Sequence, residues 1–397
     1  MLSVEEALTQ LLEQAEPTRQ VETVPLASAS GRVLAGEVRS LVDVPPHDNS
    51  GLDGYAIRTA DLATDGPTRL HVTQRIPAGQ TGEPLSPGTA ARIFTGAPVP
   101  EGADAIVAQE NTRRENDHVI FNHRPAAGED IRPRGGDISR NQVVLETGRR
   151  LRPQEIGAAA SVGVTELSVY RPLRVATFTT GDELVEPGHP LKPGQIYNSN
   201  HAMIVALLQG LGVRVLDLGR VEDRLEATAE ALSEAAEGAD LVITSGGVSV
   251  GEEDHVRRAV EQLGSLDLWR VRMKPGKPLA FGHAKGTPFI GLPGNPVSAF
   301  ATFCLFARPF ILRSQGVLDA RPLTVSVPAG FERQPGERRE FLRARLDEKG
   351  RATLYPNQNS GVLSSTAWAT GFAVAREERA IARGDMVDFI SLSELLD

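Results

Sequence analysis

Cysteine is almost missing from this chain: Cys304 is the only one among 397 residues. Intramolecular disulfides and cysteine-rich zinc sites are thereby excluded. Cys304 lies in the apolar run AFATFCLFA and reads as core. Positive charge is also in deficit, with a formal net charge of −9. That argues against general nucleic-acid binding and against an anionic membrane surface. An anionic substrate would then need a local basic patch or a metal. No apolar stretch reaches the ~18 residues of a membrane span. The start, MLSVEEALTQLLEQA, has neither the basic nor the apolar region of a signal peptide. A cytoplasmic enzyme is the expectation. The nucleotide fingerprints G-x-G-x-x-G and G-x-x-x-x-G-K-[ST] are missing as well, which argues against a nicotinamide dehydrogenase and a P-loop NTPase.

What is present describes a globular protein, with 40% hydrophobic and 23% charged residues. The length predicts about two to four domains. The most informative stretch is 240–256, DLVITSGGVSVGEEDHV. Leu241, Val242 and Ile243 form a short apolar run suited to a buried parallel strand. Thr244, Ser245, Gly246 and Gly247 follow, so the backbone can turn tightly and present bare N–H groups. Glu252, Glu253 and Asp254 add hard oxygen ligands, and HVRRAVEQL has helical spacing. This is the layout of an anion site at the carboxyl end of a parallel sheet, although a glycine pair after a strand also serves as a plain turn. Residues 247–251 match G-x-S-x-G, but Ser249 sits well past the strand end, not on the elbow a hydrolase nucleophile needs.

Along the chain, Ser3 and Glu6 read as a capping box before the stripe Leu8, Leu11 and Leu12. The stretch VPPHDNSGLDGYAIR follows, where Asp48, Asn49, Ser50 and Asp53 serve either local turns or a site. Residues 67–148 carry the short β runs HVTQRI, ARIF, AIVAQE, HVIFN and QVVLE, which predict a small all-β domain. Two of its loops are candidates: TGAPVP with Thr95, and IRPRGGDI with Arg132, Arg134 and Asp137. Guanidinium forks match oxyanion geometry, and a solvated basic loop is the alternative.

From Leu173 the pattern alternates strand and helix to about residue 312, which predicts a doubly wound α/β domain. Its strand ends carry TTGDE with Glu183, then Glu222-Asp223, then the 246–254 loop, then KPGKP with Lys274 and Lys277, then LPGNP with Pro293 and Asn295. Three acidic turns, a two-lysine loop and two glycine turns on one rim form a site. The carboxylates suit Mg²⁺ and the lysines suit phosphate or oxyanion charge. From Arg321 onward, LTVSVPA, REFLRARLD, ATLYP, GFAVARE and MVDFISL predict a small β domain. Arg343 and Arg345, two apart on a strand, share a face and point together into a cleft or onto the surface.

Taken together, PPHDNSGLDGYAIR, RIFTGAPVPEGADAIVAQE, IRPRGGDI, TTGDEL, TSGGVSVGEEDHV, MKPGKPLAFG and GLPGNP resemble MoeA-type molybdopterin molybdenumtransferases, whose module also forms the C-terminal domain of gephyrin. The motifs run in order over essentially the whole chain. DNSGLDGYA departs from the commoner DNSAMDGYA without touching the polar positions.

The resemblance implies an elongated, L-shaped subunit of α/β and β domains, working as a homodimer. It implies a linking domain of residues 1–40 and 141–171, a β-rich domain of 41–140, a MogA/MoaB-like α/β molybdopterin-binding domain of 172–319 and a C-terminal β domain of 320–397. The implied reaction takes adenylylated molybdopterin and molybdate to molybdenum cofactor and AMP with a divalent cation, Mg²⁺. Carried over by motif, Asp53, Thr95, Asp137 and Arg132 of one subunit line the cleft. Glu183, Asp223 and Asp254 of the other serve metal and pterin, and Glu222 is an alternative to Asp223. The turn residues Ser245, Gly246, Gly247, Ser249, Pro293 and Asn295 bind substrate, Lys274 and Lys277 meet its anions, and Arg343 and Ser360 handle molybdate. A MogA/MoaB-type protein is the implied pterin donor. The rival readings are a MogA-like adenylyltransferase and a gephyrin-like scaffold. The charged rim speaks against the scaffold, since a peptide groove calls for an exposed apolar patch.

Overall fold

A computed structural model describes residues 1–247, 255–276 and 278–396. Ser249, Asp254 and Lys277 therefore lie outside the described residues.

The short β runs of the N-terminal part assemble into a six-stranded sheet. Its spatial order is Ala105–Ala108, Gly54–Ile57, Thr89–Ile93, Thr68–Ile76, His118–Phe121, Thr112–Glu115. Only Thr68–Ile76 and Thr89–Ile93 run parallel. Alternation puts Tyr55 and Ile57 into one small core and Ala56 into another on the opposite face. Val143–Leu145, which its pattern places with this domain and the resemblance places with residues 1–40, pairs with Val38–Arg39. Val21–Pro25 pairs with Glu166–Tyr170, and the helix Pro153–Ser161 covers a separate core with Leu34, Leu151 and Ala159.

The α/β part holds six strands: β1 Arg174–Thr180, β2 Arg214–Val221, β3 Leu241–Ser245, β4 Gly264–Arg270, β5 Pro278–Ala284 and β6 Thr287–Leu292. Their order is β2-β1-β3-β6-β5-β4. The first four are parallel, but β5 and β4 are antiparallel additions. The doubly wound α/β domain thus carries a mixed sheet, parallel over four strands with an antiparallel edge. The physical reason is the two-residue turn Lys285-Gly286, which sends the chain straight back from β5 into β6. Successive residues of β1 and β3 feed opposite layers, with Val175, Leu241 and Ile243 on one side and Ala176, Phe178 and Val242 on the other. The first layer also takes the helix Val4–Glu13 through Val4, Ala7 and Leu11. Its capping box is formed: Ser3 Oγ accepts the Glu6 N–H at 3.1 Å, and Glu6 Oε2 accepts the Ser3 N–H at 2.7 Å.

Residues Pro296–Ser314 form a continuous 19-residue helix that is long and apolar enough, by composition, to cross a membrane. It is 94% buried inside the protein, so it is apolar all round because protein surrounds it. Cys304 sits in this helix, and burial pushes its thiol pKa up to about 12.

The C-terminal sheet orders Met273–Lys274, Arg339–Leu346, Gly371–Ala375, Met386–Ser391, Val325–Pro328, with Ala352–Leu354 against the second of these. The β-like run LWRVRM (268–273) is therefore divided: Trp269 and Arg270 end β4, while Met273 and Lys274 pair in parallel with Arg339 and Glu340.

Candidate functional site

The N-terminal candidates lie on three loops stitched together by main chain. Gly96 N–H donates to Ser50 O at 2.9 Å, Ser50 N–H to Ala97 O at 2.9 Å, and Val99 N–H to Asp48 O at 2.8 Å. This brings Thr95 over Asp53, whose Oδ1 accepts the Thr95 amide at 2.9 Å and its hydroxyl at 2.7 Å. Those two bonds hold the Asp53 carboxyl below its usual pKa. Gly54 allows the close strand approach behind it, because a Cβ there would collide with Val107 O. Arg132 pairs with Asn49 across a short ladder and donates to Gly51 O at 3.3 Å. Asp137 is exposed and held through its own N–H to Val44 O at 3.0 Å. Arg134 is engaged with Asp43 at 2.7 Å. The hydrogen bonds of Asp53, Thr95, Arg132 and Asp137 all stay within residues 44–137.

The second group forms the rim of the α/β sheet. Gly246 and Gly247 take left-handed φ values of 88° and 63°, which turns the chain at the end of β3. Gly246 N–H donates to Leu292 O at 3.1 Å, and Ser245 Oγ donates to Pro293 O at 3.1 Å. The β3 and β6 turns are thus closed on each other. Asn200 completes the closure, its amide donating to Ser245 Oγ and Gly294 O, both at 2.8 Å. Its buried Oδ1 has no hydrogen-bond partner among the described residues. Asn295 begins the core helix and accepts the Ala299 N–H at 2.9 Å.

At the end of β1, Thr180 Oγ1 donates to Asp223 Oδ1 at 3.3 Å. Glu222 is instead drawn to Arg224, at 2.7 Å. Asp223 is therefore the neighbour that faces the rim. The Glu183 carboxylate folds back on Gly181, where a Cβ would lie 2.7 Å from Oε2. Two carboxylates converge on Thr180-Gly181, an oxygen-only donor set that fits a hard divalent cation such as Mg²⁺. Among the described residues no group of three His, Cys, Asp or Glu side chains completes a metal site; the third predicted carboxylate is Asp254.

The third group is C-terminal. Lys274 Nζ is paired with Glu340 at 2.8 Å, and Glu340 is shared with Arg333 at 2.6 Å. Arg343 does not open into a cleft with Arg345. It is 1% exposed, donating from Nε to Ser365 Oγ at 3.1 Å and from Nη2 to Asn359 O at 3.2 Å. Arg345 stacks on Trp368 at 4.6 Å. The two share a face as expected, but the segment through the helix Ser364–Trp368 covers Arg343 and leaves Arg345 exposed on the surface. Desolvation lowers the Arg343 pKa to about 10, so it stays cationic at neutral pH. The same loop reaches the rim: Val297 N–H, at the start of the core helix, donates to Ser360 O at 3.0 Å.

Sequence reasoning missed Asn198 and Asn200. The signal was present, because Asn-Ser-Asn directly precedes an apolar helical run and Asn198 caps it.

Family models match three successive stretches: the MoeA N-terminal region (domain I and II) over residues 2–163, a probable molybdopterin binding domain over 176–313, and the MoeA C-terminal region (domain IV) over 327–392. The chain is 38% identical to the molybdopterin molybdenumtransferase of Haemophilus influenzae, with 100% of both chains covered. It is 39% identical to molybdopterin molybdenumtransferase 2 of Mycobacterium tuberculosis, covering 88% of this chain and 89% of that one. Among solved structures, the molybdopterin biosynthesis MoeA protein of Pyrococcus horikoshii matches with a TM-score of 0.85 at 29% identity, over 98% of this chain and 100% of the other. With likeness of this degree over the full length, the chain belongs to the MoeA family of molybdopterin molybdenumtransferases.

Proposed function

We propose that this chain inserts molybdenum from molybdate into adenylylated molybdopterin, cleaving the adenylate and releasing AMP in a cation-dependent reaction. The observation that carries this reading is the meeting of opposite chemistries on one rim. Glu183 and Asp223 gather at Thr180-Gly181, while the loop of Ser360 and the buried cation Arg343 docks on the start of the core helix.

Substrates with a phosphoanhydride and a dithiolene, together with a tetrahedral dianion, need both. Molybdate needs hydrogen-bond donors and cations, which Lys274 and Lys277 supply in this reading, with the buried Arg343 adding positive charge behind the Ser360 loop. Glu183, Asp223 and Asp254 would hold Mg²⁺, whose contribution when bound is to offset charge on the phosphoryl group. Ser245, Gly246, Gly247, Ser249, Pro293 and Asn295 form the turn surface against which the pterin nucleotide lies. No protein thiolate is required, since the substrate carries its own sulfurs, in keeping with a fully buried Cys304.

The Asp53–Thr95 pair with Arg132 and Asp137 forms a separate half-site. We assign it to the rim of a second copy in a cytoplasmic homodimer, with the division at residues 40, 140, 171 and 319 and with pterin delivered by a MogA/MoaB-type protein. The test is AMP release from purified protein given adenylylated molybdopterin and Mg²⁺. AMP that appears only with molybdate is the expected result. Release that ignores molybdate, or tight pterin binding without AMP, overturns the insertase in favour of a hydrolase or a scaffold.

A further inference from the structure

The segment 181–198, which carries Glu183, leaves the sheet at the end of β1 and returns at the start of the helix Ser199–Gly210. Its only regular structure is a two-by-two ribbon, Leu184–Val185 against Ile196–Tyr197. Two strands of this length do not hold themselves in water. Backbone bonds from Ile196 N–H to Glu183 O at 2.8 Å and from Asn198 N–H to Val185 O at 2.9 Å close the ribbon but do not fasten it to the domain. On its outer side Leu191, Ile196 and Tyr197 are exposed, so apolar burial does not fasten it either.

The fastening is done by side chains. Asn198, 1% exposed, donates to Thr179 Oγ1 of β1 and to Glu186 Oε1 of the ribbon, both at 2.8 Å. The other Glu186 oxygen lies 3.9 Å from His201 Nδ1. His201 Nε2 is 2.6 Å from Asp217 Oδ1 on β2. The imidazole is 14% exposed and stands between two half-exposed carboxylates, one on the flap and one on the sheet. Asp217 is itself fixed, because it sits where the β1–β2 register shifts and its Oδ1 also accepts the Gly219 N–H at 2.9 Å.

We infer that His201 is a positioning residue: by bridging Asp217 and Glu186 it pins the 181–198 flap to the sheet edge and thereby sets where Glu183 stands over Thr180-Gly181. The consequence for turnover rests on the cation role given to Glu183 above. The clamp itself does not.

The experiment uses the full chain and two readouts. Hydrogen exchange of the peptide covering Ile196 and Asn198 reports the clamp without any substrate. The Mg²⁺ concentration for half-maximal AMP release reports Glu183. His201→Ala is expected to raise exchange in this peptide about tenfold, the scale of one lost charge-assisted bond, with protection elsewhere unchanged. The half-saturating Mg²⁺ concentration is expected to rise several-fold, with turnover at saturating Mg²⁺ within about twofold of wild type. His201→Arg, whose guanidinium can donate to both carboxylates, restores both values. Asp217→Asn breaks the same link from the exposed side and serves if His201→Ala does not fold. Unchanged exchange in both breaking variants overturns the clamp. Raised exchange with unmoved Mg²⁺ dependence overturns the link to Glu183. Absence of AMP release from the wild type counts against the proposed reaction and leaves the exchange result intact.

Discussion

The Asp53–Thr95 half-site and the α/β rim differ in how their polar groups are supported. Thr95 is exposed and Asp53 only half-buried, and each leans mainly on the other. On the rim, Thr179, Asn198, Ser245 and Arg343 are buried and each hydrogen bond hands on to a further residue. The first arrangement leaves functional groups facing outward at little cost to folding. The second makes the fold depend on the groups that shape the site, because a buried polar atom left unpaired costs its full desolvation. A surface of the first kind suits meeting another surface, and a surface of the second kind suits holding a small molecule.

Mutations can break or sharpen this contrast on the scale of stability. The largest effect is expected for Arg343→Ala, which removes a fully buried side chain and strands Asn359 O. We expect a loss of about 2–5 kcal/mol in denaturant unfolding. Arg343→Met sharpens the point: a loss under about 1 kcal/mol would mean that the buried cation is kept for its charge and not for packing. Ser245→Ala comes next, since it frees the Asn200 amide and the Pro293 carbonyl, at about 1–2 kcal/mol by the same measurement. Asp53→Asn is the smallest, with a thermal midpoint within about 2 °C of wild type and AMP release lost. If Asp53→Asn unfolds the protein as readily as Ser245→Ala, the two regions are not built differently and the contrast fails.

How much of this was legible in the sequence follows from which forces are local. Turn chemistry and alternation are local, so TSGG, the TGAPVP loop and the five C-terminal strands could be read directly. Strand partners are not local. Val143–Leu145 looks like its neighbours in the β domain, yet its partner is Val38–Arg39. LWRVRM looks like one strand, yet the chain leaves one sheet and joins another within it. Arg343 and Arg345 share a face, as a period of two requires, but what covers Arg343 on that face is the segment ending in Trp368, some twenty residues away. The 19-residue core helix was legible as the last helix of the alternating pattern, but the burial of Arg308 within it depends on neighbours far away in the chain.

The parallel pairing of Met273–Lys274 with Arg339–Glu340 also bears on how such a chain can vary. Lys274 reaches Glu340, Glu340 reaches Arg333, and Arg339 reaches back to Glu5 in the first turn of the first helix. A lysine of the rim, a carboxylate of the last sheet and the amino-terminal helix therefore meet along one seam. Exchange of the C-terminal layer between relatives is expected to succeed only when the donor brings, or the recipient already has, matching charges at all three places.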